Sequence, residues 1–235
     1  MRKNRAVGII FHGIGTPGRE LGPGEAPYWI SVAAFEAILD QVQAAPHRSQ
    51  IRLSFDDGNA SDHDIALPRL LARGLRADFF VLSGRIDAPG SLSAAQIRAL
   101  AAAGMGVGSH GIAHRDWRRI SADDLAAEVT QSRAAIAGVL GRPVTTAGIP
   151  FGSYDARVLA ALRRAGYEAA YSSDRGTMDP AAFLRPRCSV RAEMGQAGMG
   201  QAGMGQAGIT AMLAGRLAVL QRLRRALVMW HRRLG

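Results

Sequence analysis

The chain has 235 residues, 48% hydrophobic and 20% charged, enough apolar side chain for one large α/β domain or two small ones, which excludes disorder throughout. Its formal charge is +10, but six arginines and no acid follow Ile209, and removing those six leaves +4, the balance of an ordinary soluble enzyme. A nucleic-acid partner would want a basic face within the folded part and is not expected, and the single cysteine, Cys188, excludes an internal disulfide.

Taken in chain order, the basic Met1–Arg5 leads into the apolar run Ala6–Phe11. This imitates the start of a secretion signal, but the run stops at His12 and no small-residue cleavage site follows. No stretch approaches the roughly 18 apolar residues of a membrane span. The expected location is the cytoplasm, peripheral to the inner membrane face. Ala6–Phe11 itself reads as a strand. Ser31 then caps a helix through Val42, with Val32, Phe35, Ile38, Leu39 and Val42 on one face. Further strands are expected at Ile51–Phe55, Ala77–Leu82, Gly106–Ser109, Thr145–Ile149 and Ala169–Tyr171. Helices fall between them at Ile65–Arg73, at Ala94–Ala103 behind the cap Ser93, and from Ser121 to about Val139, where Asp124 completes a capping-box pattern. Asp155 caps the last, Ala156–Ala165, which stops at Gly166. Alternating strands and helices of this kind build a parallel sheet, and six or seven units suggest a barrel with its chemistry at the C-terminal strand ends.

That domain is expected to occupy residues 1–192. From Met194 to Gly208 the unit Met-Gly-Gln-Ala-Gly occurs three times, a period matching neither helix nor strand, so residues 193–208 read as a linker. Residues 209–235 return to helical spacing, with Leu213, Leu217, Leu220, Leu223 and Leu227 at three- and four-residue intervals among arginines. This is a basic amphipathic helix suited to contact with a membrane surface.

Ser54-Phe55-Asp56-Asp57-Gly58 ends an apolar strand. Adjacent carboxylates repel unless a cation or a division of labour relieves them; the plainer reading is an acidic loop before the next helix. Ser109-His110-Gly111-Ile112-Ala113-His114 ends another strand. Histidines four apart can reach one metal if the residues between form a helical turn, the plainer reading being a chance surface pair. One carboxylate with two histidines makes a three-ligand set with open positions, suited to Zn²⁺ and compatible with Co²⁺, Ni²⁺ or Fe²⁺.

In this order, some fifty residues apart and each after a strand, the two segments resemble the first and second motifs of the polysaccharide deacetylases, the NodB-like proteins of carbohydrate esterase family 4. Pro150-Phe151-Gly152-Ser153-Tyr154-Asp155 resembles the third motif, and the resemblance spans about residues 6–190. It implies a deformed (β/α) barrel of roughly seven strands, a divalent metal, and removal of N-acetyl groups from a glycan or glycan precursor. Asp57, His110 and His114 would be the metal ligands, and Asp56 the base that takes a proton from the attacking water. Pro150, Phe151, Gly152 and Tyr154 would line the sugar site, with Trp117 as a further apolar wall. Many relatives carry the general acid in a late Leu-x-His motif, but no histidine lies between His114 and His231. Phe11-His12-Gly13 instead resembles the Tyr-His motif of the poly-N-acetylglucosamine deacetylases, which implies that His12 is the acid. The third-motif arginine that orients the catalytic aspartate is also missing; Ala147 stands near its place. Arg187 is the candidate substitute, or else a surface cation. An O-deacetylase and a non-catalytic glycan-binding barrel are the alternatives on the same scaffold, and Gly13–Trp29, rich in Gly and Pro, is placed to shape the substrate entrance.

Overall fold

Residues 5–192 are described by the computed structural model; the repeat (193–208) and the arginine-rich helix expected over 209–235 lie outside the described residues. Strand β1 (Ala6–Phe11) is buried at all six positions, as a parallel strand covered on both faces requires. Two short strands, β2 (Gly13–Ile14) and β3 (Trp29–Ile30), pair with each other apart from the main sheet. Helix α1 (Val32–Ala44) starts where Ser31 accepts the Ala34 N–H, and it turns Phe35, Ile38, Leu39 and Val42 inward. There follow β4 (Ile51–Phe55), α2 (Leu67–Ala72), β5 (Ala77–Val81), α3 (Ala94–Ala102), β6 (Gly106–Ser109) and α4 (Ala122–Leu140). The series continues with β7 (Thr146–Gly148), α5 (Ala156–Arg164), β8 (Ala169–Ser172) and β9 (Thr177–Met178).

Strands β1, β4, β5, β6, β7 and β8 lie side by side in parallel, in chain order. The curl is completed by β10 (Leu184–Pro186), which pairs with β8, and β11 (Cys188–Ser189), which pairs with β1. Only Arg187 separates them, so one short segment bridges both edges of the sheet. Counted as one stave, β10 and β11 bring the total to seven, and the result is the nearly closed, deformed barrel expected. Phe11 stacks on Phe55 and Phe55 on Phe79, at 5.1 and 4.6 Å between ring centres, with Phe35 edge-on to Phe11. That aromatic row ties α1 to the first three staves and holds their C-terminal ends together.

The local differences have identifiable causes. Ser93 and Gln96 form a complete capping box at α3. Ser121 accepts the Asp124 N–H, but the Asp124 carboxylate turns away to Arg115 at 3.1 Å, so that box is half made. The helix expected from Ile65 begins as a π-helical turn, Asp62–Ala66, before α2. That turn buries Asp62 with neither carboxylate oxygen bonded. Burial first, then the charges of Asp57 and Asp56, push its pKa well above the ordinary value. In chelated protein the folded state thus holds a proton that the unfolded state, with a pKa of about 3.9, releases. Stability falls as pH rises from about 4 toward the folded pKa, by about 1.4 kcal/mol per pH unit for this group. Asp62→Asn is expected to flatten the slope by that amount in denaturant titrations across pH; an unaltered slope would mean that the buried carboxyl is ionised. Among the described residues no helix is long and apolar enough to cross a membrane.

Candidate metal centre

The C-terminal ends of β1, β4, β6 and β7 open on one cavity of about 180 Å³. At the end of β4 the backbone changes hand. Asp56 still belongs to the ladder, donating its N–H to the Phe11 carbonyl at 3.0 Å. Asp57 takes a left-handed conformation, φ 79°, and so turns its carboxylate into the same cavity as its neighbour instead of to the opposite face. Asp57 Oδ1 lies 3.5 Å from His110 Nε2 and 3.4 Å from His114 Nε2.

The histidines reach that point by a route other than the helical turn that their spacing would allow. Residues 110–114 form an open loop in which Gly111 has φ 87° and His114 φ 54°. Glu128, buried on α4, accepts the Ile112 N–H at 2.8 Å and the Trp117 indole N–H at 3.5 Å. A Cβ at Gly111 would stand 2.6 Å from the Glu128 carboxylate, so glycine is what lets the loop lie against it. His110 Nδ1 donates to the Gly148 carbonyl at 2.9 Å, which orients the ring with Nε2 toward Asp57. Burial, then the neighbouring His110, lowers the His114 pKa to about 4, so that ring is neutral at physiological pH.

These residues suit a divalent cation. Asp57 Oδ1 is buried and has no hydrogen-bond partner, and one atom from each of the three side chains lies within 4.8 Å of the others. A buried carboxylate oxygen that accepts no hydrogen bond, with two imidazole nitrogens converging on it, is unfavourable until a cation sits between them.

Asp56 is held differently. Arg187, 1% exposed, donates to both its oxygens at 2.8 and 2.9 Å and to Ser54 Oγ at 2.8 Å, while Ser54 donates to the Ile9 carbonyl. Burial pushes the Asp56 pKa up, but the Arg187 charge, His110 and the Arg187 hydrogen bonds outweigh it and leave the carboxyl below its usual range. The alternative of Arg187 as a surface cation is excluded by its burial. Gly8 makes its entry possible, since a Cβ there would meet Arg187 Cγ at 2.7 Å.

His12 follows β1, is part-buried, and packs 4.9 Å from the Tyr28 ring with its Nδ1 enclosed and unbonded. Burial lowers its pKa, partly opposed by Asp57 and Asp56. Phe151, 60% exposed and at φ 57°, stands 4.3 Å from the His114 ring, and Gly152 joins it in the cavity wall. Three expected sugar contacts do not reach that wall. Trp117 is 0% exposed and packs in the core against Glu128. Tyr154 is buried with its hydroxyl on Asp174 at 2.6 Å, and Pro150 is buried behind Phe151. The wall is completed instead by Arg19, Glu25, Tyr28 and Trp29. The first three come from the stretch between β2 and β3 and Trp29 opens β3; the richness of that stretch in Gly and Pro signals a loop but not which side chains it turns inward.

A family model described as polysaccharide deacetylase matches residues 43–170. Among curated proteins the chain is 23% identical over 153 residues to YxkH of Bacillus subtilis (strain 168), named as a polysaccharide deacetylase; the match takes in 65% of this chain and 55% of the relative. The chain thus spans about half the length of the curated relative it matches. Among solved structures it is similar to the Streptococcus pyogenes deacetylase PplD in complex with acetate, with a TM-score of 0.71, 18% identity, and 82% of this chain and 95% of that chain covered. It is likewise similar to IcaB from Ammonifex degensii, with a TM-score of 0.68, 18% identity, and 88% and 97% covered. At such identities the solved structures speak for the fold alone. The family match, by contrast, runs over more than half the sequence and takes in the Asp-Asp and His-x-x-x-His segments just described: the chain belongs to the polysaccharide deacetylase family.

Proposed function

We propose that the protein is a metal-dependent hydrolase that releases acetate from N-acetylated sugars of a polysaccharide or its precursor. The observation that carries this reading is the convergence of Asp57, His110 and His114 beside a second carboxylate, Asp56, that is buried and clamped. A divalent cation in that set, Zn²⁺ or one of Co²⁺, Ni²⁺ and Fe²⁺, would supply Lewis acidity toward the acetyl carbonyl and make water a stronger acid. The rest falls to the chain. Asp57, His110 and His114 would hold the cation in the cavity that His12 and Phe151 also line. Asp56, ionised through Arg187, keeps a free lone pair on each oxygen and accepts a proton from the attacking water. As a weakened base it does not retain that proton. The carbonyl carbon becomes tetrahedral, the C–N bond breaks, and the departing nitrogen takes up a proton from His12. Burial keeps His12 neutral at rest, so the proton it gives to the nitrogen is the one that the water lost to Asp56 and that Asp56 releases into the site, and once protonated His12 is a strong donor. Phe151 offers an exposed ring on which a sugar face can lie.

A cytoplasmic location fits a precursor substrate at the inner membrane face, with residues 209–235 as the contact. The acetate bound in the PplD structure is the small product that such a reaction releases. Acetate release from N-acetylglucosamine oligomers should stop on chelation and return with Zn²⁺ or Co²⁺. His12→Ala should lower turnover by about 10²-fold with bound metal unchanged. Metal retention with no acetate from any N- or O-acetylated glycan would instead make the barrel a binding protein.

A further inference from the structure

The two histidines of the metal centre are held in different ways. A metal-binding imidazole normally donates its second N–H to a carboxylate or a carbonyl, which fixes the ring. His110 does so through the Gly148 carbonyl at 2.9 Å. The His114 ring has no such acceptor among the described residues. It meets the His110 ring at 5.2 Å, the Phe151 ring at 4.3 Å and the Asp57 carboxylate at 3.4 Å. Its direction therefore comes from its backbone, left-handed at φ 54°, and from the loop that carries it.

That loop is tied at every backbone group of Gly111 and Ile112. Gly111 donates its N–H to Ser109 Oγ at 3.1 Å, and its carbonyl accepts the Ser83 N–H at 2.9 Å. The Ile112 carbonyl accepts the Gly84 N–H at 3.0 Å, and the Ile112 N–H goes to the Glu128 carboxylate at 2.8 Å. Three of these partners are neutral groups at the ends of β5 and β6. The fourth is a carboxylate, 3% exposed, among Leu125, Val129 and Ile136 on the inward side of α4, where packing alone would take an apolar side chain. Its charge makes its hydrogen bond roughly twice as strong as a neutral one. The contact also has no slack, since a Cβ on Gly111 would stand 2.6 Å from the same oxygen.

We propose that Glu128 is a positioning residue for the metal: it fixes the loop that aims His114, and so does from α4 what a ring acceptor does for His110. The inference rests on the cation site of the proposed function and not on the acetate chemistry. Metal affinity is thereby set in part by a side chain that touches neither the cation nor its ligands, through one hydrogen bond to the middle of the loop.

The test uses the full chain, stripped of metal and titrated with Zn²⁺ against a chromophoric chelator, and with Co²⁺ while its visible absorption is recorded. Glu128→Met keeps the volume and the helix propensity but removes the acceptor. Its Zn²⁺ affinity should fall about 10–100-fold, with weaker and shifted Co²⁺ bands as His114 loses its aim. In Glu128→Gln the amide oxygen can accept the same N–H, so most of that loss should be restored. Unchanged affinity and an unchanged spectrum in Glu128→Met overturn the proposal, even where the metal-free protein melts lower, because Glu128 is then a structural residue only. Equal losses in the Met and Gln variants overturn it as well, by assigning the effect to the charge of the carboxylate and not to the bond. Should Glu128→Met fail to fold without metal, Gly111→Ala displaces the same carboxylate from the loop side, and an undiminished affinity there overturns the proposal. The two readings fail separately. Zn²⁺ binding that depends on Glu128, with no acetate from any substrate, would sink the hydrolase and leave the positioning role standing. Acetate release by a parent whose Glu128→Met variant binds Zn²⁺ equally well would do the reverse.

Discussion

Replacing Asp57 with Asn is expected to abolish acetate release while leaving the metal-free protein at least as stable as its parent. In the metal-free state Asp57 Oδ1 is a buried acceptor with no hydrogen-bond partner, facing His110 Nε2 at 3.5 Å and His114 Nε2 at 3.4 Å. An amide is nearly isosteric, removes the buried charge and can turn an N–H toward one of those nitrogens. Asparagine also tolerates the left-handed backbone that this position requires. The gain is about 1–3 kcal/mol, the usual size of satisfying a buried polar group. With metal present the sign reverses, because two neutral imidazoles and an amide hold a divalent cation far more weakly than a set containing a carboxylate. Metal content after dialysis should fall to background, and acetate release by on the order of 10³-fold or more, beyond what loss of a supporting partner costs. Thermal unfolding with and without chelator reads both halves. An Asp57→Asn protein that keeps its metal, or that is destabilised when chelated, would mean that the three side chains are not poised around a cation.

Much of the scaffold behind that centre is legible in the sequence because it follows local rules. Ala6–Phe11, Ile51–Phe55 and Gly106–Ser109 are short, apolar and bounded by turns, and they become strands over those same residues. Ser31, Ser93 and Asp155 cap the helices that their side chains announce. The candidate site residues sit where a barrel places its chemistry, just past strand ends, so the Asp56–Asp57 and His110–His114 pairs stand out before any coordinates, and the family resemblance implies which carboxylate joins the histidines. Contacts set by closure rather than by local pattern are not legible. Leu184–Ser189 has too few residues and too mixed a pattern to read as a strand, yet it joins both edges of the sheet. The loop between the histidines takes its shape from Glu128 on α4 and from left-handed Gly111 and His114, not from helical spacing. Trp117 and Tyr154 lie close in sequence to functional residues but point into the core. Tyr28 and Arg19 come from a loop with no periodicity at all, and they line the cavity.

Arg187 concentrates the non-local part of the fold in one side chain, and its removal is expected to have the largest effect on stability. Arg187→Met fits the hydrocarbon stem between Gly8 and the Phe80 ring, whose centre is 4.9 Å from the guanidinium carbon, but leaves Asp56 buried without its counter-ion. Breaking a buried pair from one side costs about 3–5 kcal/mol. For a domain of this size that corresponds to a fall in Tm of roughly 6–20 °C. Removing the other partner as well should restore most of the loss, so Asp56→Asn/Arg187→Met is expected to melt well above Arg187→Met alone. Activity should follow a different order. Arg187→Met, Asp56→Asn and the double variant should all be inactive, because each lacks an ionised, oriented carboxylate beside the cation site, whereas bound metal should persist in Asp56→Asn. Arg187→Lys separates charge from shape. It keeps the cation but offers one point of contact where the fork makes two parallel bonds, so it should recover stability more than turnover. A single Arg187→Met variant that loses no more than about 1 kcal/mol would place the pair in the range of exposed ion pairs. Neither the closure of the barrel nor the orientation of Asp56 could then be assigned to it.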